Sequence, residues 1–129
     1  MLDLQTGDHL LDLCSGPGGK ALIAMQTLKL QRIVCNDVQS SRIKRVANVM
    51  KSHLYDKFND GMGQKIVEYS VRDGRKCPNV FEQKFDKVLC DVPCYTDRHV
   101  IFEDENNIFK PHRARERLDM PQLQSQLLR

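Results

Sequence analysis

The sequence predicts an α/β protein built on a parallel sheet, and two observations support this fold class. Apolar strand-like runs alternate with amphipathic helix-like stretches along the chain, which is the pattern of successive βαβ units. A glycine-rich turn at residues 15–19 follows the first apolar run and leads directly into an apolar helix. Such a turn offers unpaired backbone N–H groups and the positive end of a helix dipole. We therefore expect a ligand site at the carboxyl ends of the strands.

The first half of the chain predicts two strands, each followed by a helix. The strands cover residues 9–14 and 32–36, and the first helix covers residues 20–29. Ser40 or Ser41 is in place to cap the second helix. The apolar residues that share one face by helical spacing are Ala21, Leu22, Met25 and Leu28 in the first helix and Ile43, Val46, Ala47, Met50 and Leu54 in the second.

The second half predicts two more strands and a last helix. A polar loop at residues 59–63 leads to a third strand at 65–70 and a loop at 73–75, and the fourth strand runs over 85–90 to Asp91. Pro121 is expected to begin the last helix, because proline suits the first helical turn. The residues expected to face inward from that helix are Leu123, Leu127 and Leu128.

Composition limits the class of protein. The chain has 129 residues, 40% of them hydrophobic, which indicates one folded domain. Its net charge of +3 neither supports nor excludes nucleic-acid binding. Five cysteines cannot form a closed disulfide framework, which favours a reducing compartment. Cys90 and Cys94 make at most half of a zinc site, so no metal is expected. No apolar run approaches the length of a membrane span, and residues 1–8 do not resemble a targeting peptide.

The glycine turn has more than one interpretation. An NTPase phosphate loop is excluded, because Cys14 and Ala21 occupy the positions that require glycine and Ser or Thr. The dinucleotide fingerprint fits Gly16, Gly18 and Ala21, with an acid, Asp37, about 20 residues further on. An acid at the tip of the second strand suits the ribose of either NAD or S-adenosylmethionine. Glycines that merely turn the chain remain the simpler alternative.

A second motif follows the fourth strand at residues 91–94. It places an acid, Asp91, and a thiol, Cys94, just beyond the strand end. From the residues alone, Cys94 is the candidate nucleophile, with Lys20 as a cationic neighbour that favours the thiolate. Asp91 is a candidate acid or ligand contact, and a strand-end cap is the simpler alternative.

Taken together, these motifs resemble the Nop/Sun family of RNA cytosine-5 methyltransferases, which use S-adenosylmethionine. Residues 96–99 and 103–110 are similar to the mitochondrial ribosomal-RNA branch in particular. Two places depart from the family pattern: Ser15 and Gly16 stand where two alanines are usual, and Tyr95 stands where Ser or Thr usually follows the cysteine. The motifs that carry the resemblance, in order, are residues 12–20, 36–37, 40–43, 73–75 and 91–94.

The resemblance implies roles for individual residues. Asp37 takes the ribose hydroxyls, Asp73 accepts the adenine amine, and Asp91 serves the methionine end of the cofactor or the cytosine ring. Cys94 assists product release, because the family attacks with a cysteine in a later Thr-Cys motif that does not occur in these 129 residues. Arg42 is as well explained by a solvated surface charge as by a cofactor contact. From the residues alone, residues 73–74 are explained by a simple turn. The implied cofactor-binding residues are Gly16, Pro17, Gly18, Gly19, Lys20, Asp37, Arg42, Asp73, Gly74 and Asp91.

The same resemblance implies the partners and the location. RNA, and ribosomal RNA in particular, is the implied substrate, and residues 110–117 carry basic side chains that suit phosphates or simply form a solvated face. A partner that resembles a transcription-termination factor and a mitochondrial location follow from the resemblance only.

The number of elements predicts a partial fold. The family has a Rossmann-like sheet of seven strands in the order 3-2-1-4-5-7-6, and this chain supplies the first four. We therefore expect residues 1–129 to be the N-terminal part of a single methyltransferase domain, truncated at both ends and inactive in isolation. The fourth strand would then lack a neighbour on one side. The alternatives are an NAD-dependent oxidoreductase and a non-catalytic binding module.

Overall fold

The computed structural model describes residues 2–54, 66–76, 84–94 and 111–128. The predicted loop at residues 59–63 and the positions of Cys77, Tyr95 and Lys110 lie outside the described residues. The chain divides into two compact units, Met1–Asp91 and Val92–Arg129, and each is described by itself. No helix among the described residues is long and apolar enough to cross a lipid bilayer.

The first unit contains a parallel sheet of four strands. They are β1 (His9–Asp12), β2 (Arg32–Asp37), β3 (Val67–Val71) and β4 (Lys87–Leu89). Their order in the sheet is β3-β2-β1-β4, and every neighbouring pair is parallel. The predicted α/β class and the predicted order of the first four strands are therefore confirmed. In such a sheet, the ends of β1 and β2 and the residues after β4 share one edge.

Two helices cover one face of this sheet and form the hydrophobic core. The helix α1 (Gly19–Gln26) connects β1 to β2, and α2 (Ser40–His53) follows β2. The predicted apolar stripe of α2 is confirmed, although Ala47 is only half-buried. The residues of the core are Leu10, Ala21, Ala24, Met25, Leu30, Ile33, Cys35, Val46, Met50, Leu54 and Val67.

Two predictions about helix ends are wrong. Leu28 is 68% exposed and has a φ of 60°, because α1 already ends at Gln26 and the Thr27 hydroxyl donates to the carbonyl of Ala24. Neither serine caps α2: Gln39 holds the N-cap position without a side-chain cap. The backbone N–H of Gln39 donates instead to the Asp37 carboxylate at 3.0 Å, so the acid that precedes α2 organises its first turn.

The second unit contains α3 (Pro111–Leu127). Pro121 lies inside this helix, so the prediction that it begins the helix is wrong. Pro111 takes the first helical position instead, where its missing N–H costs nothing. Leu123 and Leu127 are half-buried, whereas Leu128 is exposed, contrary to the prediction. Within this unit, the side-chain amide of Gln124 donates to the Pro93 carbonyl at 2.8 Å.

A buried asparagine connects the strands of the first unit to the glycine turn. The Asn36 side chain donates to the carbonyls of Leu13 and Arg72, both at 3.0 Å, and accepts from the N–H of Arg72 at 3.1 Å. These groups follow β1 and β3, which flank β2 in the sheet. Asn36 therefore satisfies main-chain groups at positions where the strand ladders have ended.

We expect Asn36→Ala to lower the free energy of unfolding by about 3 kcal/mol, because it leaves three main-chain groups without their partner and opens a small cavity. Chemical denaturation of the full chain measures this. The control is Asn48→Ala, which replaces an exposed asparagine within α2 and is expected to change stability by only a few tenths of a kcal/mol. Equal effects of the two substitutions would contradict the role assigned to Asn36.

Candidate functional site

The glycine turn between β1 and α1 depends on close packing against α2. Gly18 precedes α1 with a φ of 109°, a conformation that favours glycine. A Cβ atom at this position would lie only 3.2 Å from Cα of Val46, in the middle of α2. Gly19 then begins α1, so the unpaired N–H groups of the first helical turn lie beside the turn.

The end of β2 holds this turn in place. The backbone N–H and the hydroxyl of Ser15 both donate to the carbonyl of Asn36 at 2.8 Å. The next residue, Gly16, donates its N–H to Oδ2 of Asp37 at 3.3 Å. The hydroxyl that Ser15 has in place of the usual alanine is therefore satisfied, although the side chain is buried.

Asp37 lies under the turn with only 4% of its side chain exposed. Its Oδ1 accepts from the N–H of Gln39, its Oδ2 accepts from the N–H of Gly16, and Nη1 of Arg42 lies 3.8 Å from Oδ2. A carboxylate has about four acceptor positions, so capacity for further donors remains. The structure thus brings together Gly16, Asp37 and Arg42, three of the predicted cofactor-binding residues.

The absence of a side chain at Gly16 allows this close approach. A Cβ atom there would lie 2.8 Å from Oδ2 of Asp37 and 2.9 Å from both Cβ and Cδ of Arg42. In this chain, Asp37 and Arg42 therefore leave no room for the methyl group of an alanine at position 16.

A cavity of about 350 Å³ opens beside the turn. Its volume falls within the range of small-molecule sites. It contains much of the predicted site, and it adds residues that the sequence did not single out, among them Asp12 and Ile23. The lining residues are Asp12, Cys14, Ser15, Gly16, Pro17, Gly19, Lys20, Ile23 and Asp91.

An ion pair joins α1 to Asp91, which lies two residues beyond the end of β4. The Lys20 ammonium donates to Oδ2 of Asp91, and both side chains are about half-exposed. The neighbourhood of Asp91 now offers one cation and, with Asp12, two acids. Lys20 is therefore held in an ion pair with Asp91, and its predicted effect on the thiol of Cys94 stays a prediction.

Asp12 is the ionisable side chain of the cavity to which the sequence reasoning gave no role. Its side chain is buried, with 1% of the residue exposed, and neither carboxylate oxygen has a hydrogen-bond partner among the described residues. Burial, reinforced by the charge of Asp91, raises the pKa of Asp12 to about 7. The backbone N–H of Cys14 and the charge of Lys20 oppose this shift without reversing it. The available signal was an acid inside the apolar run at residues 10–13.

The described thiols differ in burial: Cys35 is buried, Cys14 and Cys90 are half-buried, and Cys94 is exposed. Burial raises the pKa of Cys14 to about 12 and raises that of Cys35 as well, so neither is a thiolate near neutral pH. Cys94 belongs to the second unit and is an exposed free thiol there. Its predicted action together with Asp91 stays a prediction. No group of three metal-ligating side chains occurs in the described part of the chain.

Asp73 and Gly74 lie after β3 and do not line the cavity. The Asp73 carboxylate is held by Arg75, whose Nε and Nη2 donate at 2.7–3.1 Å. This ion pair lowers the pKa of Asp73, which keeps the carboxylate ionised. The contact of Asp73 with an adenine stays a prediction, and Arg75 is a neighbour that the sequence reasoning did not identify.

Comparison with known proteins shows the relationships of the chain. The family model described as "16S rRNA methyltransferase RsmB/F" matches residues 1–129. The chain is 42% identical over 127 residues to the mouse (Mus musculus) "5-cytosine rRNA methyltransferase NSUN4", covering 98% of this chain and 32% of the mouse protein. It is 30% identical over 131 residues to a zebrafish (Danio rerio) protein named "tRNA (cytosine(34)-C(5))-methyltransferase, mitochondrial", covering 98% of this chain and 33% of that protein.

A solved structure shares the fold. The crystal structure of PH0851 superposes with a TM-score of 0.68 at 34% sequence identity, covering 98% of this chain and 27% of that one. The chain thus spans about a third of the length of the curated relatives described above.

We expect Gly16→Ala to lower the free energy of unfolding by about 1–3 kcal/mol, because the added methyl group overpacks against Asp37 and Arg42. The matched control is Gly19→Ala, where a Cβ atom meets nothing within 4 Å and the residue lies at the start of a helix. The control should leave stability unchanged or raise it slightly. Denaturant titration of both variants checks this, and a destabilised control with an unaffected Gly16 variant would contradict the packing argument.

Proposed function

The chain belongs to the RsmB/F family of 16S rRNA methyltransferases, and from this premise we propose that it forms the cofactor-binding part of an S-adenosylmethionine-dependent RNA cytosine-5 methyltransferase. The observation that carries the proposal is the cavity beside the glycine turn. One sheet edge there combines the amino end of a helix, a buried acid at the tip of β2 and an ion pair between Lys20 and Asp91. This set of groups fits a ligand with a ribose and an amino-acid end.

The residues of the cavity fit the parts of that cofactor. The first N–H groups of α1, beginning at Gly19, suit a carboxylate, and Lys20 adds a positive charge close by. Asp37 has acceptor capacity for a ribose diol beside Gly16. When bound, the cofactor supplies an electrophilic methyl group. The task of these residues is to bind and orient it at the carboxyl edge of the sheet.

The adenine end has a candidate contact after β3. Asp73 follows the strand that neighbours β2 in the sheet, so an adenine that extends past Asp37 lies toward it. Its carboxylate is ionised and already oriented by Arg75, which favours acceptance of an exocyclic amine. Gly74 has no side chain to keep a base away. Arg42 is the last of the proposed cofactor-binding residues, because its guanidinium lies beside the Asp37 carboxylate.

The catalytic proposal concerns Asp91 and Cys94. Cytosine C5 is a poor nucleophile, and addition of a thiolate to C6 makes C5 electron-rich enough to accept a methyl group. We assign that attack to a cysteine of a Thr-Cys motif outside these 129 residues, as the family resemblance implies. Cys94 then assists the later elimination as an acid or base, and Asp91 serves the methionine end of the cofactor or the cytosine ring.

The names of the relatives support a proposal for the substrate and the location. Their printed names describe rRNA and tRNA cytosine-5 methyltransferases, and one is described as mitochondrial. We propose that the substrate is RNA, more specifically ribosomal RNA, and that the protein is located in the mitochondrion. Basic residues within 110–117 are the proposed phosphate contacts. A partner that resembles a transcription-termination factor is proposed on the family resemblance alone.

The NAD-dependent alternative loses its basis. The glycine spacing and Asp37 suit either cofactor, but family membership favours the methyltransferase. The Asp91, Pro93 and Cys94 motif has no role in hydride transfer.

We expect Asp37→Ala to weaken S-adenosylmethionine binding by about 2–3 kcal/mol, because charge-assisted hydrogen bonds to the ribose are lost. Calorimetric titration of the full chain measures this. Asp119→Ala, at an exposed position on α3, is the control and should leave affinity unchanged. Since Asp37 also accepts backbone N–H groups, Asp37→Asn and circular dichroism distinguish lost binding from lost folding. Unchanged affinity in a folded Asp37 variant would contradict the assignment.

We expect Cys94→Ala, in a methyltransferase that contains this chain and a Thr-Cys motif, to trap a protein–RNA adduct that requires S-adenosylmethionine. The variant still attacks C6 and transfers the methyl group, but elimination stalls without the second thiol. Denaturing electrophoresis with labelled RNA detects the adduct. Cys90→Ala, which removes the half-buried thiol of that motif's strand end, is the control and should accumulate none. An inactive Cys94 variant that binds cofactor and RNA without forming an adduct would make Cys94 the nucleophile.

A further inference from the structure

The helix α2 concentrates positive charge without compensating acids. It carries four permanent cations and neither aspartate nor glutamate. The whole chain has a net charge of only +3, so the rest of the chain, taken together, has slightly more acids than cations. The charge of α2 is therefore a local feature and does not reflect a generally basic chain. The four cations are Arg42, Lys44, Arg45 and Lys51.

Three of these cations share the solvent side of the helix. Lys44, Arg45 and Lys51 are exposed, whereas the opposite, apolar side of α2 is buried in the core. Lys44 and Lys51 are seven residues apart, which places them two turns and about 10 Å from each other along the helix. We call these three residues the basic face of α2. The exposed polar residues on the same side are Ser41, Asn48 and Ser52.

No ion pair in the described part of the chain involves a residue of the basic face. Acids three or four residues away, which commonly pair with cations on a helix, do not occur in α2. Arg42 and Arg45 are three residues apart, a spacing at which like charges repel each other. The first turn also holds Arg42 and no acid, although the helix dipole favours anions there. These charges disfavour the helix, and a bound polyanion would compensate them.

We propose that the basic face of α2 is an RNA-binding surface that contacts the phosphate backbone outside the cofactor cavity. None of its residues lines that cavity. The inference rests on the proposed RNA substrate and adds a surface that holds it. This surface is separate from the basic residues within 110–117, which belong to the second unit.

The chemistry of the face favours RNA over a protein or a membrane. No large hydrophobic side chain of α2 is exposed, whereas the centres of protein interfaces are rich in aromatic residues and poor in lysine. A helix that binds a membrane inserts its apolar side, but the apolar side of α2 forms part of the core. Nucleic-acid interfaces are polar and strongly positive, and their phosphate contacts hold the ligand without reading its sequence.

The position of α2 brings the basic face toward the proposed cofactor site. The helix begins at Ser40, three residues after Asp37 at the carboxyl end of β2. Val46 in the middle of the helix packs against the glycine turn, since a Cβ atom on Gly18 would lie 3.2 Å from Cα of Val46. A structured RNA is much larger than the cavity. One segment of it can therefore reach α2 while a base lies at the carboxyl edge of the sheet.

The test is the salt dependence of RNA binding by the full chain. A labelled hairpin of ribosomal-RNA sequence is titrated at salt concentrations from about 50 to 200 mM. Lys44→Gln combined with Lys51→Gln should lower the slope of log Kd against log salt by about 1.5, because two phosphate contacts are lost. At the lowest salt concentration, binding should weaken at least about tenfold. Glutamine is a good helix former, so the variant is expected to fold.

Two further double variants control for charge and chemistry. Lys29→Gln combined with Lys84→Gln removes two exposed lysines of the same unit, so it changes the net charge equally and should leave the slope nearly unchanged. Lys44→Arg combined with Lys51→Arg keeps both charges and should retain the slope of the parent chain. Calorimetric titration with S-adenosylhomocysteine should give the parent affinity for all three variants, since none of these lysines lines the cavity.

The outcomes separate the basic face from the proposed function. An unchanged slope for the Lys44 and Lys51 glutamine variant, or an equal reduction in the Lys29 and Lys84 control, would overturn the basic face. Binding to phosphatidylserine vesicles that is lost in the first variant, with RNA binding unaffected, would assign the face to a membrane. Failure of the folded parent chain to bind the hairpin at the lowest salt would also overturn the face. Failure to bind S-adenosylhomocysteine would overturn the proposed function instead.

Discussion

The arrangement of the site depends on one contact, the attachment of the glycine turn to the end of β2. The Asn36 carbonyl accepts hydrogen bonds from both the N–H and the hydroxyl of Ser15. The residues that follow these two form another hydrogen bond, from the N–H of Gly16 to the carboxylate of Asp37. The Asn36 side chain extends this attachment to the segments after β1 and β3. Because β2 lies between these strands, a single residue pair fixes the height of the turn above the sheet. The cavity and the start of α1 follow from that position.

The buried carboxyl group of Asp12 in the cavity wall disfavours the folded state when it is ionised. A core position at the end of β1 normally holds an apolar side chain, and the neighbouring residues Leu10 and Leu11 are fully buried. Asp12 occupies such a position without a hydrogen-bond partner among the described groups. Polar groups that are buried at a cost to stability concentrate in binding sites, where a ligand supplies the missing partner. The other acid of the cavity, Asp91, is instead half-exposed and paired with Lys20.

Much of the fold could be predicted from the sequence, because the signals are local. The alternation of apolar runs indicated a parallel sheet, and helical spacing identified the buried face of α2. Helix ends were predicted less well. Thr27 ends α1 before Leu28, the Asp37 carboxylate organises the start of α2 in place of a serine, and α3 begins at Pro111. At each end, a neighbouring side chain or an earlier proline prevailed over the residue that the pattern favoured.

The sequence by itself determined which motifs the chain carries. The glycines of the turn, Asp37, and the Asp91 and Cys94 motif were identified by spacing, and the family resemblance they carried is shown by the family model. Only the tertiary structure decided how these groups pair. Lys20 meets Asp91 because β4 lies beside β1 although 71 residues separate the two side chains. The burial of Asp12 and the contact of Gly16 with Asp37 and Arg42 also depend on which strands are neighbours and on how closely the helices pack, and local spacing does not encode that distance.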